Sequence, residues 1–183
     1  MADKGTVTSD GAALRAEDFR RPLEFLFTEH DRQRVLCAAL GRLAEDPAQA
    51  DAAANAQAIL DYMRSRLGDH YGDEEHDLFP LLRRRADPDD GLVAILDLLH
   101  DEHAADDGLL KELLGPLATI AAGRAPEDVA VFKAAAYAFS LLQRRHLAWE
   151  NGTILPLARR RLTAEDQREL GRRMAARRGL VLA

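Results

Sequence analysis

The chain of 183 residues repeats itself, and the repeat dictates a helical plan. Leu23-x2-Leu26-x3-His30 returns as Leu96-x2-Leu99-x3-His103, with an acidic residue directly before each histidine, Glu29 and Glu102. His70-x3-Glu74-x3-Leu78-Phe79-Pro80-Leu81, followed by Arg83 to Arg85, returns as His146-x3-Glu150-x3-Ile154-Leu155-Pro156-Leu157, followed by Arg159 to Arg161. The offset is 73 residues for the first segment and 76 for the second. Apolar steps of three and four residues mark one face of an α-helix; a strand would alternate every second residue. Self-similarity of this kind implies two copies of one plan, a helix bearing a single His followed by a helix bearing His-x3-Glu.

The periodic stretches set the expected boundaries. Residues 1 to about 16 are polar and aperiodic and read as a loose arm, with the bundle over 17–162 and a short basic helix or tail over 163–183. The first stripe runs through Phe19, Leu23, Leu26, His30, Cys37 and Leu40, and Gly41 to Asp51 reads as a connection. A second helix from about Ala52 carries Ile59, Met63, Leu67, His70, Glu74, Leu78 and Leu81 inward. Turn formers over 86–91 precede a third stripe, Leu92, Leu96, Leu99, His103, Leu110 and Leu114, which Gly115-Pro116 should end or kink. Pro126 suits the first turn of a fourth helix carrying Phe132, Phe139, Leu142, His146, Glu150, Ile154 and Leu157. Thr163 with Asp166 resembles a capping box opening a short fifth helix, whose arginines read as a solvated face.

Composition agrees with an all-α class: 47% of residues are hydrophobic but only 5% aromatic, so alanine and leucine supply the packing. A net charge of −6 argues against a nucleic-acid partner. Cys37 is the only cysteine, which excludes an intrachain disulfide and thiolate-ligated metal clusters. No apolar run is long enough to span a membrane and no secretory leader is visible, so a cytoplasmic location is expected.

Residues four apart on a helix point the same way, so His70 with Glu74 and His146 with Glu150 each offer an imidazole and a carboxylate to one point. Any one of these histidines alone would be an ordinary hydrogen-bonded core residue. Together, four His and two Glu fall on the apolar stripes of four different helices. Six buried ionisable groups without a compensating cation would cost more than a domain's whole net stability. Imidazole and carboxylate without thiolate suit iron, manganese or zinc, and two carboxylates near a bundle axis can bridge two ions.

The set His30, His70-x3-Glu74, His103, His146-x3-Glu150, with Leu-Phe-Pro-Leu after the first pair, resembles the hemerythrin-like (HHE cation-binding) domains of the bacterial type. The resemblance implies an antiparallel up-down four-helix bundle around two non-haem iron ions. Glu74 and Glu150 would bridge them, with a further oxo or hydroxo bridge. It also implies a small ligand, O2, nitric oxide or peroxide, that is sensed, scavenged or detoxified, including by peroxide dismutation. An iron-sensing module without catalysis uses the same residues.

Invertebrate oxygen carriers of the family have two histidines four apart on the third helix and an Asp at wider spacing in the last motif. Here His100 and His103 are three apart and the last motif is His-x3-Glu, which points away from reversible oxygen carriage. His100 aligns with Phe27 in the repeat and lies beside the ligand stripe, and His76 falls on another face from Glu74. Tyr71 follows His70 where some members place an extra carboxylate, and its hard phenolate oxygen makes it a candidate seventh ligand. His-Asp dipeptides at 30–31, 76–77 and 100–101 hint at a helical metal phosphohydrolase, but they break the repeat that the His-x3-Glu pairs obey.

Overall fold

The computed structural model describes residues 13–182, so most of the expected N-terminal arm lies outside the described residues. Those described are helical, with no strand among them, as the periodicity requires. The helices are α1 Pro22–Glu45, α2 Ala52–Ser65, α3 Leu67–Asp73, α4 Phe79–Arg85, α5 Leu92–Ala121, α6 Val129–Trp149, α7 Leu155–Arg161 and α8 Ala164–Arg177. Short 3-10 turns occupy Ala16–Arg20 and Pro88–Asp90. No described helix is long and apolar enough to cross a membrane.

The chain forms two compact units. One comprises Arg32–Arg66 and Ala104–Arg145; the other comprises 13–31, Leu67–His103 and 146–182. The first buries Leu36, Leu40, Leu43, Ile59, Leu60, Leu113, Leu117, Phe132 and Phe139. The second is built on Phe19, Leu23, Leu26, Leu78, Phe79, Leu82, Leu96, Leu99, Ile154 and Leu155, so most of the apolar part of the repeat is its core.

Several boundaries differ from expectation. Helix α1 runs through Gly41 to Glu45 because Leu43 and Ala44 continue its buried stripe, and one glycine costs a helix only about 1 kcal/mol. Helix α5 likewise continues through Pro116 to Ala121. Its buried face passes through Asp106, Leu113, Leu117 and Ile120 instead of Leu110 and Leu114, because a face of 3.6-residue period drifts from a stripe drawn in sevens. The helix stops at Gly123, whose φ of 72° lets its N–H turn back to the Ile120 carbonyl. Helix α6 begins after Asp128, whose carboxylate accepts from the Ala130 and Val131 N–H groups, so Pro126 lies before the helix and not in its first turn.

Both segments after the His-x3-Glu pairs open into a π turn, Glu74–Leu78 and Glu150–Ile154. The Phe79 N–H reaches the Glu74 carbonyl and the Leu155 N–H reaches Glu150, one residue further than in an α-helix. The next residue in each case is Pro80 or Pro156, which has no N–H to restore the α ladder. The repeated Pro is thus tied to a widened turn that begins at each functional glutamate.

The arginine runs close the repeat crosswise. Arg85 forks onto Asp166 at 2.9 and 3.0 Å, and Arg161 forks onto Asp90 at 2.9 and 2.8 Å. Each aspartate also caps the turn it belongs to, Asp90 on the Asp87 N–H and Asp166 on the Thr163 N–H, which bears out the expected capping box. Arg85 draws Asp166 down to about 2. Helix α8 is not a wholly solvated face: Leu170, Gly171, Met174 and Ala175 are buried, and a Cβ at Gly171 would collide with the Phe19 carbonyl. Arg178 donates to Asp73 at 2.7 Å and lies over the Phe19 and Phe25 rings, while Arg177 holds Asp73 at 3.0 Å and also binds Asp77. These arginines leave water because an aspartate with no exposure, Asp73, waits under them.

Candidate metal centre

All six residues singled out by the repeat meet within the second unit. His30, His70, Glu74 and Glu150 bring one ligand atom each within 4.8 Å of one another, and so do Glu74, His103, His146 and Glu150. The two sets share both glutamates. Glu74 turns Oε1 toward His30 Nε2 at 3.4 Å and His70 Nε2 at 3.3 Å, and Oε2 toward His103 Nε2 at 3.4 Å. Glu150 turns Oε2 toward His30 Nε2 at 3.3 Å and Oε1 toward His146 Nε2 at 3.3 Å. Each carboxylate therefore presents one oxygen to each histidine pair, which is the disposition of a bridge.

Those separations fit a common cation. Ligand atoms about 2.1 Å from an ion and at right angles stand about 3.0 Å apart. Among the described residues, His70 Nε2, Glu74 Oε2 and both Glu150 carboxylate oxygens are buried without a hydrogen-bond partner. Orphaned carboxylate oxygens are costly unless something positive satisfies them.

The tautomers agree. His103 Nδ1 lies 2.6 Å from Glu75 Oε1 and His146 Nδ1 lies 3.0 Å from Glu102 Oε2. A carboxylate only accepts, so each Nδ1 carries a proton and each ring turns its Nε2 inward, where it can hold either a second proton or a cation. The two Nε2 atoms stand 3.1 Å apart, an arrangement that needs a proton or a cation between them. His30 follows the same rule with a neutral partner: Nδ1 lies 3.0 Å from Asn151 Oδ1, and the Asn151 amide N–H, given to the Leu147 carbonyl, fixes the orientation.

Protonation equilibria report the same field. Burial disfavours a charged His103, yet Glu74 and Glu75 carry it up to about 9. Burial likewise opposes protonation of His146 and His30, but Glu150 with Glu102 raises the former and Glu150 with Glu74 raises the latter. His70 goes the other way, well below the usual range, because burial and the neighbouring His30 charge act together. Glu74 is depressed despite its burial by the facing His103 and His30. In the metal-free chain, protons occupy places that a divalent ion would take.

Tyr71 is buried in the same unit with its ring stacked on His103, centroids 4.1 Å apart, and with the His146 ring at 6.4 Å. His100 belongs to neither set; its side chain is 66% exposed and its Nδ1 lies 3.0 Å from Glu75 Oε2. His76 is exposed, as its helical face required. Sequence reasoning missed the roles of Glu75 and Asn151. Each directly follows one of the two shared glutamates, at the 76-residue offset, so the repeat already pairs them.

The model of the hemerythrin HHE cation-binding domain matches residues 21–158. The chain belongs to that family. The match takes in all six clustered ligands and both π turns. No curated protein matches the chain.

Proposed function

We propose that this hemerythrin-family chain holds two iron ions and acts on O2, nitric oxide or peroxide, as a sensor, scavenger or detoxifier. The observation that carries the reading is the pair of four-residue sets sharing Glu74 and Glu150, because one ion cannot use both oxygens of both glutamates and four imidazoles from opposite sides. Imidazole with carboxylate suits iron, and family membership supports a cation there. Bound iron supplies the electrons for reaction with a small oxidising ligand. The chain's own residues bury all six donors, give His103 and His146 carboxylate acceptors at Nδ1 so that Nε2 faces the ion, and hold Glu74 ionised.

Four imidazoles are fewer than the five that oxygen carriers use, which favours reactivity over reversible carriage. Tyr71 is our candidate for a further ligand, supported by its burial beside His103 and by the preference of Fe(III) for anionic oxygen. Metal analysis and oxygen-electrode measurements test both points. Protein made under iron-replete conditions should carry close to two irons per chain, its reduced form should autoxidise rapidly and bind nitric oxide, and the oxidised form should consume peroxide. Tyr71→Phe should remove an intense visible band while iron is retained. A long-lived oxygenated form releasing O2 under vacuum would restore the carrier reading, and an unchanged spectrum would leave Tyr71 a packing residue.

A further inference from the structure

The histidine and glutamate donors of the two positions are equivalent, two imidazoles and one oxygen from each shared glutamate, but the groups behind them are not. His103 gives its Nδ1–H to Glu75 and His146 gives its own to Glu102, so both rings of this pair are backed by carboxylates. On the other side His30 is backed by the neutral amide of Asn151, and His70 Nδ1 is buried with no hydrogen-bond partner. Glu75 and Asn151 are repeat counterparts, so one sequence position carries an anion in one half and an amide in the other. His103 also stacks on Tyr71 at 4.1 Å and lies parallel to Phe79 at 6.1 Å.

A carboxylate accepting the Nδ1 proton pushes electron density toward Nε2 and strengthens the bond that nitrogen makes to a cation; losing such a partner typically costs about 10–100-fold in metal affinity. We propose that Glu75 and Glu102 are positioning residues that make the two metal positions unequal. The position formed by His103 and His146 binds a divalent ion first and more tightly, and the one formed by His30 and His70 fills second. This inference rests on the two-metal reading.

The test uses the metal-free full chain titrated with Co(II) alone, a divalent ion that is visible in crystals by anomalous scattering. With one equivalent added, the ion should sit between His103 and His146, and the second equivalent should bind at least ~10-fold more weakly. Glu75→Gln with Glu102→Gln should weaken the first step by ~10–100-fold and bring the two steps together. Asn151→Asp, which gives His30 the missing carboxylate, should strengthen the second step while leaving the first in place. Helix content and melting temperature of each metal-free variant control for folding, and Asn151→Asp keeps the question decidable should the glutamine variants not fold. Occupation of the His30/His70 position first, or equal filling of both in the wild type, overturns the inference while leaving two metals per chain. Uptake of only one ion at saturation overturns the two-metal reading itself and the inference with it.

Discussion

The two halves of the repeat agree at all six clustered His and Glu positions and diverge beside them, at Tyr71 against Leu147 and one residue past each glutamate. His30 matches His103, and His70 with Glu74 matches His146 with Glu150, and each set of four clustered side chains draws on both glutamates. Behind them, Glu75 stands against Asn151 and Asp73 against Trp149. Asp73 is buried under Arg177 and Arg178 of α8, whereas Trp149 is 38% exposed. The π turn that begins at Glu74 is therefore clamped by a third helix, and the one that begins at Glu150 has no such charged clamp at the counterpart residue. Coordination geometry constrains the inner positions of both copies equally; the outer ones were free to take different charge and different packing.

The comparison can be broken most severely at what the halves share. Glu74→Ala or Glu150→Ala removes one oxygen from each position, and we expect either to lose both metals together, read as metal content per chain. Loss of a single ion would show that the glutamates do not bridge. The next effect is confined to one half: Arg177→Ala with Arg178→Ala leaves Asp73 buried without its cations and should destabilise the chain by about 3 kcal/mol in denaturant unfolding. Trp149→Ala, at the counterpart position, should cost less than about 1 kcal/mol.

Acidity separates the metal-free from the loaded protein. His103 is raised to about 9 in the folded chain from an unfolded value near 6.5, so its protonation stabilises the metal-free fold fully below about pH 6.5. That contribution is lost as pH rises through about 9. The melting temperature of metal-free protein should fall over this window, and the loaded protein, whose His103 Nε2 would be committed to the ion, should not follow it. The smallest effect is expected at His100. It touches Glu75 but neither donor set, so His100→Ala should leave metal content unchanged, whereas His103→Ala should lose metal strongly.

The clustering of all six His and Glu residues was legible in the sequence because each pair sits at a fixed helical step and a repeat multiplies weak signals into one pattern. The capping box at Thr163 was legible for the same reason, since its partners lie three residues apart. The helix end expected at Gly41 was misjudged because packing of Leu43 and Ala44 outweighs the roughly 1 kcal/mol that one glycine costs a helix, and the start expected at Pro126 because Asp128 caps the first turn instead.

By itself the sequence determined the helical class, the two-copy plan and which six His and Glu residues cluster, all of which depend on spacing along the chain. Only the tertiary structure decided which oxygen of each glutamate faces which histidine pair, which residue accepts each Nδ1 proton, and that Arg85 and Arg161 reach Asp166 and Asp90 across the repeat. Most of those contacts join residues 28 or more positions apart, and no local periodicity encodes them. They follow from how folded helices place side chains in three dimensions.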